Sequence, residues 1–309
     1  MKDLWTVTSR KFVNDQENIM RDGNRYQIAN GYMGYRGTLD EFGPNELVGI
    51  TLAGIWDRVG DAWREPVNAP NGGFTQVRLD GELISARTTK IKRHRQTLNL
   101  CNASFERDTE FVSHDKILKI RSVRFLSVDQ PNLGVIKYSV RCDKNAKITI
   151  LTGIDCNIWD LNGPHLPKLS KEKRGEVLLV HGNTHELGKA VAVAEAIDCN
   201  FGREKHRVAQ NKNLRAIELT AEAGRTYSFY KYFAVYTAND PVSTSVDEAA
   251  IASVEAAKSA GYEECLKAHD LRWAEKWAAC DVKIEGDDEA QHALRYSIVQ
   301  LLIVAPVKG

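Results

Sequence analysis

An excess of either charge is missing from this 309-residue chain, in which 42 Lys plus Arg face 41 Asp plus Glu for a formal net charge of +1. No bulk field recruits nucleic acid or an anionic membrane, and a basic binding module is excluded. No C-x-x-C and no short metal-type spacing occurs among the six cysteines, Cys101, Cys142, Cys156, Cys199, Cys265 and Cys280. They read as reduced thiols, not as a disulfide framework or a metal site. No basic segment followed by an apolar stretch opens the chain at Met1-Lys2-Asp3-Leu4-Trp5-Thr6. Nor does any run approach the ~18 apolar residues of a membrane span. A cytoplasmic protein without nucleic-acid or membrane partners is expected. Solenoid repeats and low-complexity segments are also missing. What remains, 43% hydrophobic and 27% charged, is the composition of an ordinary globular protein, long enough for one large domain or two smaller ones.

From about residue 74 to about 238 the dominant period is two. Its clearest piece puts Ile136, Tyr138, Val140 and Cys142 on one face and Lys137, Ser139 and Arg141 on the other. Similar runs occupy 74–79, 116–128, 148–154, 177–180, 190–197, 216–220 and 226–237. Asp80-Gly81, Pro131-Asn132, Asp143-Lys144-Asn145, Gly182-Asn183 and Glu222-Ala223-Gly224 punctuate them as turns. Many short strands without helical crossovers predict antiparallel sheets packed face to face, hence a large β-sandwich.

At Ser245 the period changes. Ser245-Val246-Asp247-Glu248 is a capping box that opens an Ala-rich helix, which Gly261 stops. A second helix over 262–279 carries Trp273 and Trp277 one turn apart on one face, so both are expected to pack the linker. A third begins near Asp287, with Ala290, Ala293, Leu294, Ser297, Ile298, Leu301 and Leu302 as its apolar stripe. So wide a stripe needs a partner. Either the helix docks back on the sandwich or it is the first helix of a further domain, and the second is the expectation.

Two blocks resemble the amino-terminal part of glycoside hydrolase family 65, which includes maltose, trehalose, kojibiose and nigerose phosphorylases. One is Asn30-Gly31-Tyr32-Met33-Gly34-Tyr35-Arg36-Gly37, continued by Leu52-Ala53-Gly54-Ile55-Trp56-Asp57 and Pro66-Val67-Asn68-Ala69-Pro70-Asn71. The other is His269-Asp270-Leu271-Arg272-Trp273-Ala274-Glu275-Lys276-Trp277, continued by Asp281-Val282-Lys283-Ile284-Glu285-Gly286-Asp287 and Gln291-His292-Ala293-Leu294-Arg295-Tyr296. Arg124-Phe125-Leu126-Ser127 and Thr152-Gly153-Ile154-Asp155 lie between them in the same style.

The resemblance implies a mainly β fold: a mutarotase-like supersandwich over 1–243, a helical linker over 244–284, and over 285–309 the start of an (α/α)6 barrel otherwise absent. It further implies an inverting phosphorylase that turns an α-linked glucose disaccharide and inorganic phosphate into β-glucose 1-phosphate. The catalytic glutamate and the phosphate-binding residues would sit in the barrel, so no catalytic residue is expected in this chain. No metal or cofactor is implied beyond phosphate as co-substrate, and the implied partners are the disaccharide, the chain's own barrel and a second copy in a homodimer. The rivals are an inverting α-glucosidase of the same family and a stand-alone carbohydrate-binding sandwich.

Seven residues are candidates for a carbohydrate rim or a domain interface: Tyr32, Tyr35, Arg36, Trp56, Asp57, Asn68 and Asn71. Amphipathic rings and a forked guanidinium suit hydroxyl-rich surfaces. The glycine spacing at 31, 34 and 37 is not a dinucleotide fingerprint, and it reads instead as a need for backbone freedom around a sharp loop. The prolines of 66–71 read as restraining a loop rather than a ladder strand, and the bland alternative for Trp56 is a place in the core. Lys90-Ile91-Lys92-Arg93-His94-Arg95 reads as a solvated strand face, and His181 with His185 as flanking a turn instead of binding zinc.

Overall fold

The computed structural model describes residues 3–209 and 211–306. Val307, Lys308 and Gly309, the end of the segment expected to begin a barrel, lie outside the described residues, as do Met1, Lys2 and Gln210. In chain order the first strands and helix are β1 (Thr6–Ser9), α1 (Gln16–Arg25), β2 (Ile28–Ala29), β3 (Met33–Tyr35), β4 (Ile50–Asp57) and β5 (Glu65–Ala69). Then come β6 (Thr75–Leu79), β7 (Glu82–Ile84), β8 (Lys90–Asn99), β9 (Ser104–Ser113), β10 (Lys116–Leu126), β11 (Leu133–Cys142) and β12 (Ala146–Asp155). The last strands are β13 (Leu169–Arg174), β14 (Val177–Asn183), β15 (Ala190–Asp198), β16 (Arg203–Ala209), β17 (Lys212–Ala221) and β18 (Thr226–Thr237). Three helices follow: α2 (Val246–Ala260), α3 (Tyr262–Cys280) and α4 (Asp288–Val304).

All strand pairs are antiparallel, in a nine-stranded sheet β1-β8-β9-β10-β11-β18-β15-β14-β13, a five-stranded sheet β16-β17-β12-β6-β7 and a four-stranded sheet β2-β3-β4-β5. The expected β-sandwich is present. Asp80-Gly81 makes the β6–β7 hairpin with both residues at positive φ, 50° and 91°, the geometry such a two-residue turn requires. Gly182-Asn183, expected as a turn, instead ends β14 and pairs with β15; the chain reverses after it.

Polar rivets join the two large sheets. Lys231 of β18 is wholly buried and donates to the carbonyls of Phe74 and Gly153 and to Thr152 Oγ1 of β12, at 2.7–3.0 Å. Burial pulls its ammonium pKa down to about 8. Arg215 of β17 meets Glu195 of β15 at 2.7 Å, both buried. The outer face of the nine-stranded sheet is covered by α2, whose Ala250, Val254 and Ala257 cluster with Ala192, Ala194, Tyr232 and Ala234. Small side chains on both surfaces let the helix sit close, and strands β15 and β18, covered on both faces, lose strict alternation for that reason.

Three local features go beyond the sequence reading or depart from it. Helix α1, capped by Asp15 accepting from the Asn18 amide, has no counterpart in the period reading. Residues 65–69 form a ladder strand, not a loop: β5 is the edge of its sheet, where Pro66 removes no needed donor. On α4 the buried row is Gln291, Arg295, Val299 and Ile303, whereas Leu301 is 69% exposed and Leu294, Ile298 and Leu302 are only half-buried. Polar anchoring outweighs hydrophobicity there. Arg295 pairs bidentately with Asp281 and lies 3.7 Å from the Trp5 ring centroid, and Gln291 bonds the backbone of Val282 and Ile284.

Candidate functional site

The seven candidate residues all lie on or beside the four-stranded sheet, but they divide into one exposed ring and a frame beneath it. Along β4 the pattern alternates until the register shift between Thr51 and Trp56, where Ala53 and Gly54 are exposed consecutively and Gly54 takes φ +76°. That bulge re-aims the strand. Trp56 therefore faces outward, 51% exposed, while Asp57 turns inward, wholly buried. The core position considered for Trp56 is not the one it takes. It is opposite Pro66 of β5 and helps line a groove of about 510 Å3 with Gly31, Tyr32, Pro66 and, from α4, Ile303.

The frame is a set of hydrogen bonds, buried at Tyr32 and Tyr35, half-buried at Asn68 and exposed at Arg36. Tyr32, between β2 and β3, donates its hydroxyl to Asp240 Oδ2 at 2.6 Å and Val235 O at 3.2 Å. Tyr35 donates to Asn71 Oδ1, which also receives the Gly73 amide; burial pushes the Tyr35 phenol up to about 12. Asn68 accepts from Thr51 Oγ1 and donates to the Trp159 carbonyl at 2.6 Å. Arg36 reaches Asn24 Oδ1 and Met20 O and lies 5.9 Å from the Trp159 ring centroid. Tyr35, Asp57, Asn68 and Asn71 are thus committed to the protein interior, and of the seven only Trp56 presents a broad free surface. Of the glycines at 31, 34 and 37, Gly31 takes a φ of +81° and Gly37 has no room for a side chain, since a Cβ would lie 2.5 Å from the Tyr26 backbone.

One cluster in this region escaped sequence reading. His165 is wholly buried with Nδ1 2.9 Å from Asp57 Oδ2 and Nε2 2.7 Å from Glu65 Oε1. Glu65 also accepts from the amides of Leu161 and Asn162, and Asp57 from the amide of Glu186. Both ring nitrogens are spent on carboxylates, so the imidazole staples the 157–168 loop to β4 and β5. Among the described residues no group of three or more His, Cys, Asp or Glu side chains is arranged to hold a metal ion. No spacing signal pointed to a histidine 100 residues from its partner.

Burial opposes the imidazolium, but hydrogen bonds to Glu65 and Asp57 outweigh it and raise the His165 pKa above the ordinary 6.5. For Glu65 burial is likewise outweighed, by the Asn162 and His165 hydrogen bonds, and the pKa falls below the ordinary 4.5. The raised histidine contributes stability that is complete below pH 6.5 and lost as pH rises through its folded value. The depressed glutamate contributes stability that is complete above pH 4.5 and lost as pH falls through its folded value. The loop should be most protected between these limits. Hydrogen exchange at the Leu161 and Asn162 amides, corrected for intrinsic rates, should show that maximum, and His165→Ala should abolish the high-pH decline. An unchanged profile in the variant would show that the staple does not govern the loop.

Comparison with known proteins sets this geometry in a family. The description "Glycosyl hydrolase family 65, N-terminal domain" matches residues 9–276. The nigerose phosphorylase of Lachnoclostridium phytofermentans is 34% identical over 98% of this chain and 43% of its own length. A 1,2-alpha-glucosylglycerol phosphorylase of Bacillus selenitireducens is 27% identical, over 98% of this chain and 39% of its own, and the maltose phosphorylase of Bacillus subtilis 26%, over 97% and 42%. A solved structure from the human microbiome, provisionally named a kojibiose phosphorylase, superposes with TM-score 0.87 at 17% identity, over 97% of this chain and 42% of that one, and shows the fold alone. The chain spans about two fifths of the length of the curated relatives it matches. With the family description covering residues 9–276 and the fold shared, the chain belongs to glycoside hydrolase family 65, whose amino-terminal domain it contains.

Proposed function

We propose that this chain is the amino-terminal part of an inverting disaccharide phosphorylase, acting on an α-linked glucose disaccharide with inorganic phosphate to release β-glucose 1-phosphate. The observation that carries the reading is the family match over residues 9–276 together with relatives that are named phosphorylases. In such a reaction a general acid protonates the leaving oxygen while phosphate attacks the anomeric carbon from the opposite face. Phosphate is itself an anionic nucleophile, so the second carboxylate that activates water in an inverting hydrolase is dispensable. The acid and the phosphate site belong to the (α/α)6 barrel on this reading, and residues 1–309 alone are inactive. Residues 1–243 form the sandwich, 244–284 the linker and 285–309 the first barrel segment, in a cytoplasmic homodimer.

The sandwich contributes a buttress and a rim. On this reading Trp56, half-exposed above a hydrogen-bonded frame, offers an apolar face to a pyranose ring, while bonds of Asn68 to Thr51 and of Asp57 to His165 anchor its strand from below. The test is to express the longest reading frame containing this chain and assay α-linked glucose disaccharides with and without phosphate. Phosphate-dependent β-glucose 1-phosphate supports the phosphorylase; cleavage in water alone makes it a hydrolase. Sugar binding without cleavage by a frame that ends at Gly309 makes it a binding module. In the active protein Trp56→Ala should raise KM about three- to tenfold with kcat nearly unchanged, the worth of one aromatic contact. Unchanged KM would leave the ring a purely structural role.

A further inference from the structure

The basic run at 90–95 is solvated except at His94, which is buried, and it is not a flat face. The ladder of β1 on β8 stops at the pair Ser9–Gln96, and residues 10–13 leave the sheet there. Phe12 pins this departing segment against His94 and Phe42, with ring centroids 5.6 and 6.2 Å apart. Between the segment and β8 opens a cleft of about 790 Å3, of a size that holds a small metabolite. A register shift between Ile91 and Arg93 makes Lys92 the extra residue of a bulge at its wall.

Six cations line the cleft: Arg10, Lys11, Lys92, Arg93, Arg95 and Lys119. Arg95 is paired with Glu106 at 3.0 Å and Lys119 with Asp108 at 2.8 Å, while Arg93 approaches Glu110 only to 3.8 Å. Arg10, Lys11 and Lys92 have no carboxylate partner among the described residues. Three uncompensated cations and a half-compensated fourth converge in a chain whose overall charge is nearly zero. The floor is neutral. His94 is buried, with its ring nitrogens at Thr109 and Gln96, and burial pulls its pKa down to about 4. No residue of this cleft lines the Trp56 groove.

We propose that the cleft binds a small anion carrying two or more phosphoryl groups. A single phosphate or a carboxylate leaves part of the converging charge unmatched, whereas three or four negative charges over a short span match it. Lys and Arg together supply both point charges and planar forks for phosphoryl oxygens. This site is separate from the proposed chemistry and does not depend on it.

The test is isothermal titration of the full chain with pyrophosphate, fructose 1,6-bisphosphate and ADP, alongside the Lys11→Glu/Lys92→Glu double variant. Both positions are exposed, so circular dichroism should show the variant folded as the parent. The parent should bind at least one of the three ligands with an affinity that falls as salt rises. The variant should lose one site per chain or weaken it at least about tenfold. Any orthophosphate site elsewhere is common to both proteins and cancels in the comparison. The three ligands separate an inorganic source from a sugar or nucleotide one. Coincident parent and variant titrations would overturn the proposal, as would binding confined to long polyanions such as single-stranded DNA.

Discussion

Asp40→Ala should lower unfolding stability by about 3–5 kcal/mol, the cost of stranding buried charge. The carboxylate is wholly buried, accepting from Ser122 Oγ at 2.7 Å and Arg107 Nη1 at 3.2 Å, with Arg124 Nη1 3.7 Å away. Glu41 holds Arg107 from the other side at 2.5 and 3.0 Å. Without Asp40, Arg107 keeps Glu41 but Arg124 has no carboxylate partner left among the described residues. Arg124 retains part of its stabilisation from the rings of Tyr35 and Phe105, 4.2 and 4.6 Å from its guanidinium carbon, but a ring face does not replace an anion. The loss should reach the groove, because Arg124 also donates to the carbonyls of Arg36 and Thr38 at 3.0 and 2.6 Å. Urea unfolding at constant m-value measures the effect. Asp40→Asn, which keeps an acceptor at the same place, should lose less. A shift below about 1 kcal/mol in the alanine variant would show that Glu41 alone neutralises the cluster.

Trp273→Ala should cost a comparable amount, about 3–5 kcal/mol, through a cavity under α3. The ring is 1% exposed in the main core, with His269 edge-on at 6.4 Å and Trp277 one turn later. Unlike Trp277, whose indole donates to the carbonyls of Leu100 and Cys101, Trp273 has an N–H that finds no acceptor among the described residues. Its contribution is therefore packing. Trp273→Phe should retain most of the stability because it restores a ring and removes an unsatisfied donor, whereas Trp277→Phe should lose about 1 kcal/mol with its hydrogen bonds. Equal losses for the two phenylalanine variants would contradict this division.

Much of the scaffold was legible because its signals are local. The alternation at 136–142, the run 226–237, the Ser245 cap and the Gly261 stop each report on dihedrals and burial within a few residues, and all appear in the structure. Helix α1 was missed because only two of its ten residues, Ile19 and Gly23, are buried, which leaves almost no apolar period. At α4 the row buried against the rest of the chain runs through Arg295 and not through the apolar stripe, since pairing of Arg295 with Asp281 is invisible to a hydrophobic pattern. In the candidate site the sequence named segments that come together on or beside one sheet, but it could not sort the exposed Trp56 from the buried Tyr35 and Asn71, because one bulge in β4 shifts the alternation.

The sequence by itself determined the class of the chain: sheets then helices, a balanced charge, and motifs specific enough to name a family. Tertiary structure alone decided that His165 lies between Asp57 and Glu65, that Trp56 faces a groove lined in part by α4, and that a basic run borders a cleft and not a plane. The physical reason is range. Torsional preference, capping and amphipathic period are properties of neighbours along the chain, whereas a carboxylate pair around an imidazole or a convergence of cations depends on where distant strands come into register.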